Sequence, residues 1–229
     1  MELQSGCRKG RRRHRAGVAA GAIVVLLAGC SVDVTSPEGG SAAPRTPGGR
    51  SATQAQKRLD DLRVTGAGDM SGYERDRFGQ RWKDTDRNGC DQRNDVLARD
   101  LDGVEKRGRC VVVAGRLDDP YTGKDISFSK SRATEVQIDH IYPLGLAWRM
   151  GADGWDAAKR EKFANDTGNL LAVWGRPNQQ KSDSGPGEWK PQKSYQCTYA
   201  IKFVAVAAEY DLPVTQADHT ALEDFLSRC

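Results

Sequence analysis

The chain has 229 residues, 38% of them apolar and 29% charged, with 35 Lys+Arg against 31 Asp+Glu. Six of the basic residues and one acidic residue fall within residues 1–29; without that segment 29 basic residues face 30 acidic ones, a net charge of −1. Bulk charge therefore supplies no argument for binding a polyanion, and any such argument has to come from a site.

Residues 1–29 read as an export signal. The basic stretch "RKGRRRHR" precedes an apolar run, Ala16 to Gly29, that is too short to span a bilayer comfortably. The run ends in "LAGC", which resembles a bacterial lipobox, so cleavage before Cys30 and lipidation of Cys30 are expected. An uncleaved anchor is the alternative; either way the rest of the chain faces outward, as a cell-surface lipoprotein or a secreted protein. Residues 30–53 are rich in Ser, Pro, Gly and Thr, have too few apolar residues to pack, and read as a flexible tether. Residues 54–229 are enough for one domain with a real core.

In chain order, "ATQAQKRLDDLRV" reads as a helix that begins the domain. "NDVLARDLDGV" reads as a second helix, with Val96, Leu97, Leu101 and Val104 near helical spacing. "RCVVVAGRL" and "ISFSKS" read as strands around the turn "YTGKD", and "TEVQIDHI" as the next strand. A charged helix, "WDAAKREKFAND", separates it from the short strand "NLLAVW". "GRPNQQKS" reads as a helix start, with Pro177 in the first turn, where its missing N–H costs nothing. Two helices close the chain; the second has Thr215 as N-cap and Asp218 three residues on. The pattern is α+β.

Of the six cysteines, Cys7 belongs to the signal and Cys30 to the lipidation site. Cys90, Cys110, Cys197 and Cys229 remain, an even number in an exported chain, which points to two disulfides. Cys90–Cys110 and Cys197–Cys229 are the favoured pairs because each closes a local loop. A zinc site is disfavoured by the lack of CxxC spacing.

"DTDRNGCDQRND" matches an EF-hand loop in part: Asp84, Asp86 and Asn88 at positions 1, 3 and 5, Gly89 at 6 and Asp95 at 12, where the longer Glu is usual. The readings are a structural Ca²⁺ loop or a plain turn with a helix cap.

Asp139 and His140 stand together at the end of an apolar run, shortly before Pro143. A regular strand would point them to opposite faces; a strand that ends here can turn both toward one cleft. A strand carrying Asp-His, a strand opening with Asn169 and a helix opening near Asn178 together resemble the HNH, or His-Me finger (ββα-metal), nuclease motif. The resemblance is closest to the exported HNH endonuclease family related to the nuclease domain of GmrSD-type restriction enzymes. The matching words are "RWKDTDRNGCDQRND", "DHIYPL", "GNLLAV" and "PNQQKSD", which with their flanks cover most of residues 70–191. The last motif position holds Asn178 where His is usual, and still offers an oxygen.

The resemblance implies a His-Me finger core with surrounding helices, and a metal-dependent endonuclease that hydrolyses phosphodiester bonds of DNA, RNA or both, DNA foremost; the chain is expected to be a monomer. It implies His140 as general base, Asp139 and Asn178 as ligands of one Mg²⁺ or Mn²⁺, and Asn169 as a brace for the loop holding His140. Arg93 reaches a phosphate in the catalytic centre or makes a salt bridge within the fold; Arg176 and Lys181 contact phosphate or are solvated. The competing reading is a non-catalytic surface lipoprotein that binds calcium through the Asp84–Asp95 loop.

Overall fold

A computed structural model of the protein describes residues 47–229. The expected signal, Cys30 and most of the expected tether lie outside the described residues. Helix α1 spans Pro47–Asp61 and so begins before the expected boundary at residue 53. A proline at the first helical position carries no penalty, which is why a Pro- and Gly-containing stretch can still open a helix.

α2 (Gln92–Asp100) is capped by Asp91, whose side chain accepts the Asn94 N–H at 2.9 Å. The helix stops there. Leu101 is already extended, and Asp102–Arg107 form strand β1, so the expectation that the helix ran on to Val104 is corrected. Gly103, at φ 58°, has a backbone that no helix contains. β1 pairs antiparallel with β2 (Val111–Asp118), which pairs antiparallel with β3 (Asp125–Ser129). Gly115 on β2 lets Leu101 pack against the sheet, since a Cβ there would lie 2.8 Å from the leucine side chain.

The second sheet has two strands, β4 (Val136–His140) and β5 (Leu170–Trp174), antiparallel, with Asp139 opposite Leu171 and His140 opposite Leu170. Between them lie α3 (Leu144–Arg149) and α4 (Ala157–Ala164). α5 (Gly175–Lys181) follows β5 directly, so β4, β5 and α5 form the ββα unit implied by the resemblance. α6 (Lys193–Tyr210) and α7 (Gln216–Leu226) end the fold, the latter capped by Thr215 as expected.

Two apolar clusters hold these elements. One gathers α1, α3, α6 and α7 around Tyr142, Phe163, Tyr199, Phe203 and Phe225. The other joins α2, the first sheet and the outer face of the second through Val96, Leu97, Leu117, Phe128 and Leu170. Both expected disulfides are present, with Cα–Cα separations of 5.3 Å for Cys90–Cys110 and 5.2 Å for Cys197–Cys229. Among the described residues no helix is long and apolar enough to cross a membrane.

Candidate active site

β4 ends at His140 because the chain turns immediately afterwards, and Asn169 fixes that turn. Its side chain, wholly buried, accepts the Tyr142 N–H at 2.8 Å and donates to the Tyr142 carbonyl at 3.2 Å, while its own carbonyl accepts the Ile141 N–H at 2.8 Å. Strand alternation then sends the two side chains different ways. Asp139 turns toward α5 and His140 toward the C-terminus of α4. A cavity of about 210 Å³ wraps the strand end, and Asp139, His140, Asn178, Asp183 and Arg75 all line it.

His140 is 7% exposed. Its Nε2 lies 2.9 Å from the carbonyl oxygen of Ala164. A carbonyl only accepts, so Nε2 carries the proton and Nδ1 holds the lone pair. Burial, reinforced by the Arg75 guanidinium and more weakly by Lys181, pushes the imidazole pKa from 6.5 down to about 3, against the opposing pull of the Ala164 carbonyl. The ring is neutral at ordinary pH and has a fixed tautomer with a lone pair on Nδ1 able to accept a proton, but as a weak base, its pKa lying well below the range near neutral pH that suits a general base best.

Asp139 is also 7% exposed. Its Oδ2 accepts from the Tyr121 hydroxyl and from Lys181 Nζ, the latter at 2.8 Å. Burial, then the Asp139 charge, drive the Tyr121 pKa well above its ordinary value, so the phenol keeps its proton and donates it. Oδ1 accepts nothing from another described residue. Asn178 is oriented by a relay of amides: Gln137 Nε2 donates to the Thr134 carbonyl at 3.3 Å, and Gln137 Oε1 accepts from Asn178 Nδ2 at 2.9 Å. The backbone carbonyl fixes the sense of both amides, which leaves Asn178 Oδ1 as the free acceptor. Gly175 makes room for the relay, because a Cβ there would meet the Thr134 carbonyl oxygen at 2.6 Å and Gln137 Nε2 at 2.9 Å. Asp139 and Asn178 both line this cavity and both carry hard oxygen donors, the kind of residues that could hold Mg²⁺ or Mn²⁺.

The expected phosphate contacts fall elsewhere. Lys181 is fully buried, and its Nζ is taken up by Asp139 and by the His140 carbonyl at 2.9 Å, so it is neither solvated nor aimed at the cavity. Arg93 donates from Nη2 to the carbonyls of Ala133 at 3.1 Å and Val136 at 3.0 Å, tying α2 to the start of β4; it makes no salt bridge there and does not line the His140 cavity. Arg176 is exposed and lies over the Trp174 ring at 5.9 Å. The cation that does line the cavity is Arg75, on a short 3₁₀ turn, Arg75–Phe78. In the sequence it is one arginine in a polar stretch, with nothing that marks it. Its side chain makes no hydrogen bond or ion pair with another described residue.

Among the described residues, the Asp84–Asp95 loop included, no three acidic, histidine or cysteine side chains come together as a metal site. Asp84 accepts the N–H groups of Asn88 at 3.2 Å and Gly89 at 2.8 Å, and the Asn88 amide donates to Asp86 and Asp95, each at 3.0 Å. The loop is thus closed by its own hydrogen bonds and by the Cys90–Cys110 disulfide.

The family model described as "GmrSD restriction endonucleases, C-terminal domain" matches residues 91–224. An "Uncharacterized secreted protein" of Arthroderma benhamiae is 40% identical over 189 residues, which is 81% of this chain and 90% of that protein. No solved structure matches.

Proposed function

The chain belongs to the family of GmrSD restriction endonuclease C-terminal domains, and from that premise we propose that it is an exported, HNH-type endonuclease that cuts nucleic acid, DNA foremost, with the aid of one divalent metal. The observation that carries the reading is the meeting of Asp139, Asn178 and a neutral, tautomer-fixed His140 on one cavity. The similarity to a protein named as secreted supports export.

In this reading His140 Nδ1 takes a proton from a water molecule as the water oxygen attacks the phosphorus. The bond from phosphorus to the leaving oxygen breaks, and that oxygen departs with the bonding pair. Held by Asp139 Oδ1 and Asn178 Oδ1, a divalent ion would offset charge on the phosphate and the leaving oxygen. Lys181 and Tyr121 hold Asp139 in place by occupying Oδ2, and the Asn169 brace holds His140. Arg75 draws the phosphate into the cavity by charge and by its planar set of donors.

The test uses the chain from about Ser31 with its disulfides formed, given supercoiled plasmid and single-stranded RNA, with Mg²⁺, with Mn²⁺ and with chelator. Metal-dependent cutting of either polymer is expected. A folded protein that cuts neither would contradict the reading and favour the calcium-binding alternative.

A further inference from the structure

Three hollows adjoin one another, the first of them lined by His140, and each shares residues with the next. The His140 cavity and a narrow cleft beside it share Arg75. That cleft and a third cavity of about 310 Å³ share Gln80, Arg81 and Trp82, and Lys130 also lines the third. Arg75, Arg81 and Lys130 thus mark a path from the catalytic centre outward. None of the three side chains makes a hydrogen bond or ion pair with another described residue. Arg81 lies close enough to Arg75 to help lower its pKa, after the larger effect of burial, so the two like charges are neighbours. The acids along the path are Asp139, which is already engaged by Lys181 and Tyr121, Asp183 and Asp76 at the Arg75 end, and Asp91 in the third cavity, where its carboxylate is already occupied as the cap of α2.

The turn carrying Arg81 and Trp82 is held rigidly. Trp82 has a φ of 56°, a left-handed backbone that costs a non-glycine residue free energy and persists only where surrounding bonds enforce it. Asn165 enforces it: its Oδ1 accepts the Lys83 N–H at 2.9 Å, and its Nδ2 donates to the Gln80 carbonyl at 3.0 Å. Glu161 adds an ion pair to Lys83 and accepts the Gln80 N–H at 3.2 Å. Asn165 directly follows Ala164, whose carbonyl orients His140. One end of α4 therefore sets both the base and the Arg81–Trp82 turn.

We infer that this path is the binding track for a single strand of nucleic acid beyond the cut, with Arg75, Arg81 and Lys130 on its phosphates and the half-buried Trp82 as a face for a base to stack on. Unpaired cations in a row suit a polyphosphate backbone, and an aromatic ring among them suits unstacked bases, which a duplex does not present. The assignment rests on the nuclease reading.

The experiment measures binding by fluorescence anisotropy in chelator, so that nothing is cut, over a range of salt. The probe is labelled oligothymidylate of about 20 nucleotides, longer than a single binding fold commonly covers, alongside a duplex of equal length. Arg81→Ala and Lys130→Ala change exposed side chains. Each should weaken binding of the single strand and flatten the salt dependence of log K by roughly 0.7. Trp82→Leu should weaken single-strand binding by roughly 5-fold or more, the effect of losing one stacked base, while Trp82→Phe should largely restore it. The single strand should bind more tightly than the duplex. Unchanged affinity and salt slope in both cation variants, or a duplex bound as tightly as the single strand, would overturn the track while wild-type plasmid cutting left the nuclease reading standing. A wild type that neither binds nor cuts would overturn both.

Discussion

Lys181 Nζ lies 2.8 Å from Asp139 Oδ2, and the lysine is wholly buried. The same ammonium donates to the His140 carbonyl, so one buried cation ties the last turn of α5 to the end of β4. Replacing it with the similarly sized but uncharged Met should leave Asp139 without its counter-charge. Breaking one side of a buried pair costs about 3–5 kcal/mol. Urea denaturation of Lys181→Met should show a loss of that order together with reduced cutting. Unchanged stability would mean that the pair does not hold the strand end.

Asn178 should be felt through the metal. Asn178→Ala removes the free Oδ1, and the metal concentration for half-maximal rate should rise. Gln137→Leu, which removes only the partner that orients the amide, should raise it less. An identical metal requirement in wild type and Asn178→Ala would remove Asn178 from the ligand set.

Arg75 and Arg93 should separate cleanly. Arg75 lines the cavity and makes no hydrogen bond or ion pair with another described residue, so Arg75→Ala should lower kcat/KM by roughly 10- to 100-fold, about the 1.5–3 kcal/mol of a charged hydrogen bond, with the melting temperature nearly unchanged. Arg93 holds two backbone carbonyls, so Arg93→Ala should destabilise the fold by about 1.5–3 kcal/mol while the folded fraction keeps its turnover. Swapped behaviour would restore Arg93 as the phosphate contact.

The pH dependence follows from His140. Its folded-state pKa of about 3 lies below the 6.5 of an ordinary histidine. The base is therefore neutral throughout pH 5–8, and kcat/KM should show no fall near 6.5 as the pH is lowered. Stability from this group is fully present above about 6.5 and is lost as pH falls toward 3, because in that window only the unfolded chain takes up the proton. A rate profile with an inflection near 6.5 would contradict the burial seen here.

What could be read from the chain is the part written in local patterns. The apolar runs ending at His140 and Trp174, Pro177 at a helix start, the Thr215 cap and the loop-closing cysteine pairs all left their mark in short stretches. The brace at Asn169 followed from the resemblance. β1 was hidden because its exposed strand has no alternation, and Leu101 and Val104 happened to continue the helical spacing of α2. Lys181 cannot be read from the sequence, because a lysine normally faces water and only the tertiary fold supplies the carboxylate and carbonyl that let it be buried. Arg75 was missed for the converse reason: nothing in "YERDRF" distinguishes the arginine that the 3₁₀ turn presents to a cavity built by strands and helices much later in the chain.

The most direct test of the account is plasmid cleavage by two variants at His140, with thermal melts to verify folding. His140→Ala removes the ring, and His140→Gln keeps a side-chain donor for the Ala164 carbonyl but has no basic nitrogen. Both should lose activity by roughly 100- to 10,000-fold, the range expected for a general base, with His140→Gln still cooperatively folded. Cutting at near wild-type rates by a folded His140→Gln would contradict the assignment of His140 as the base.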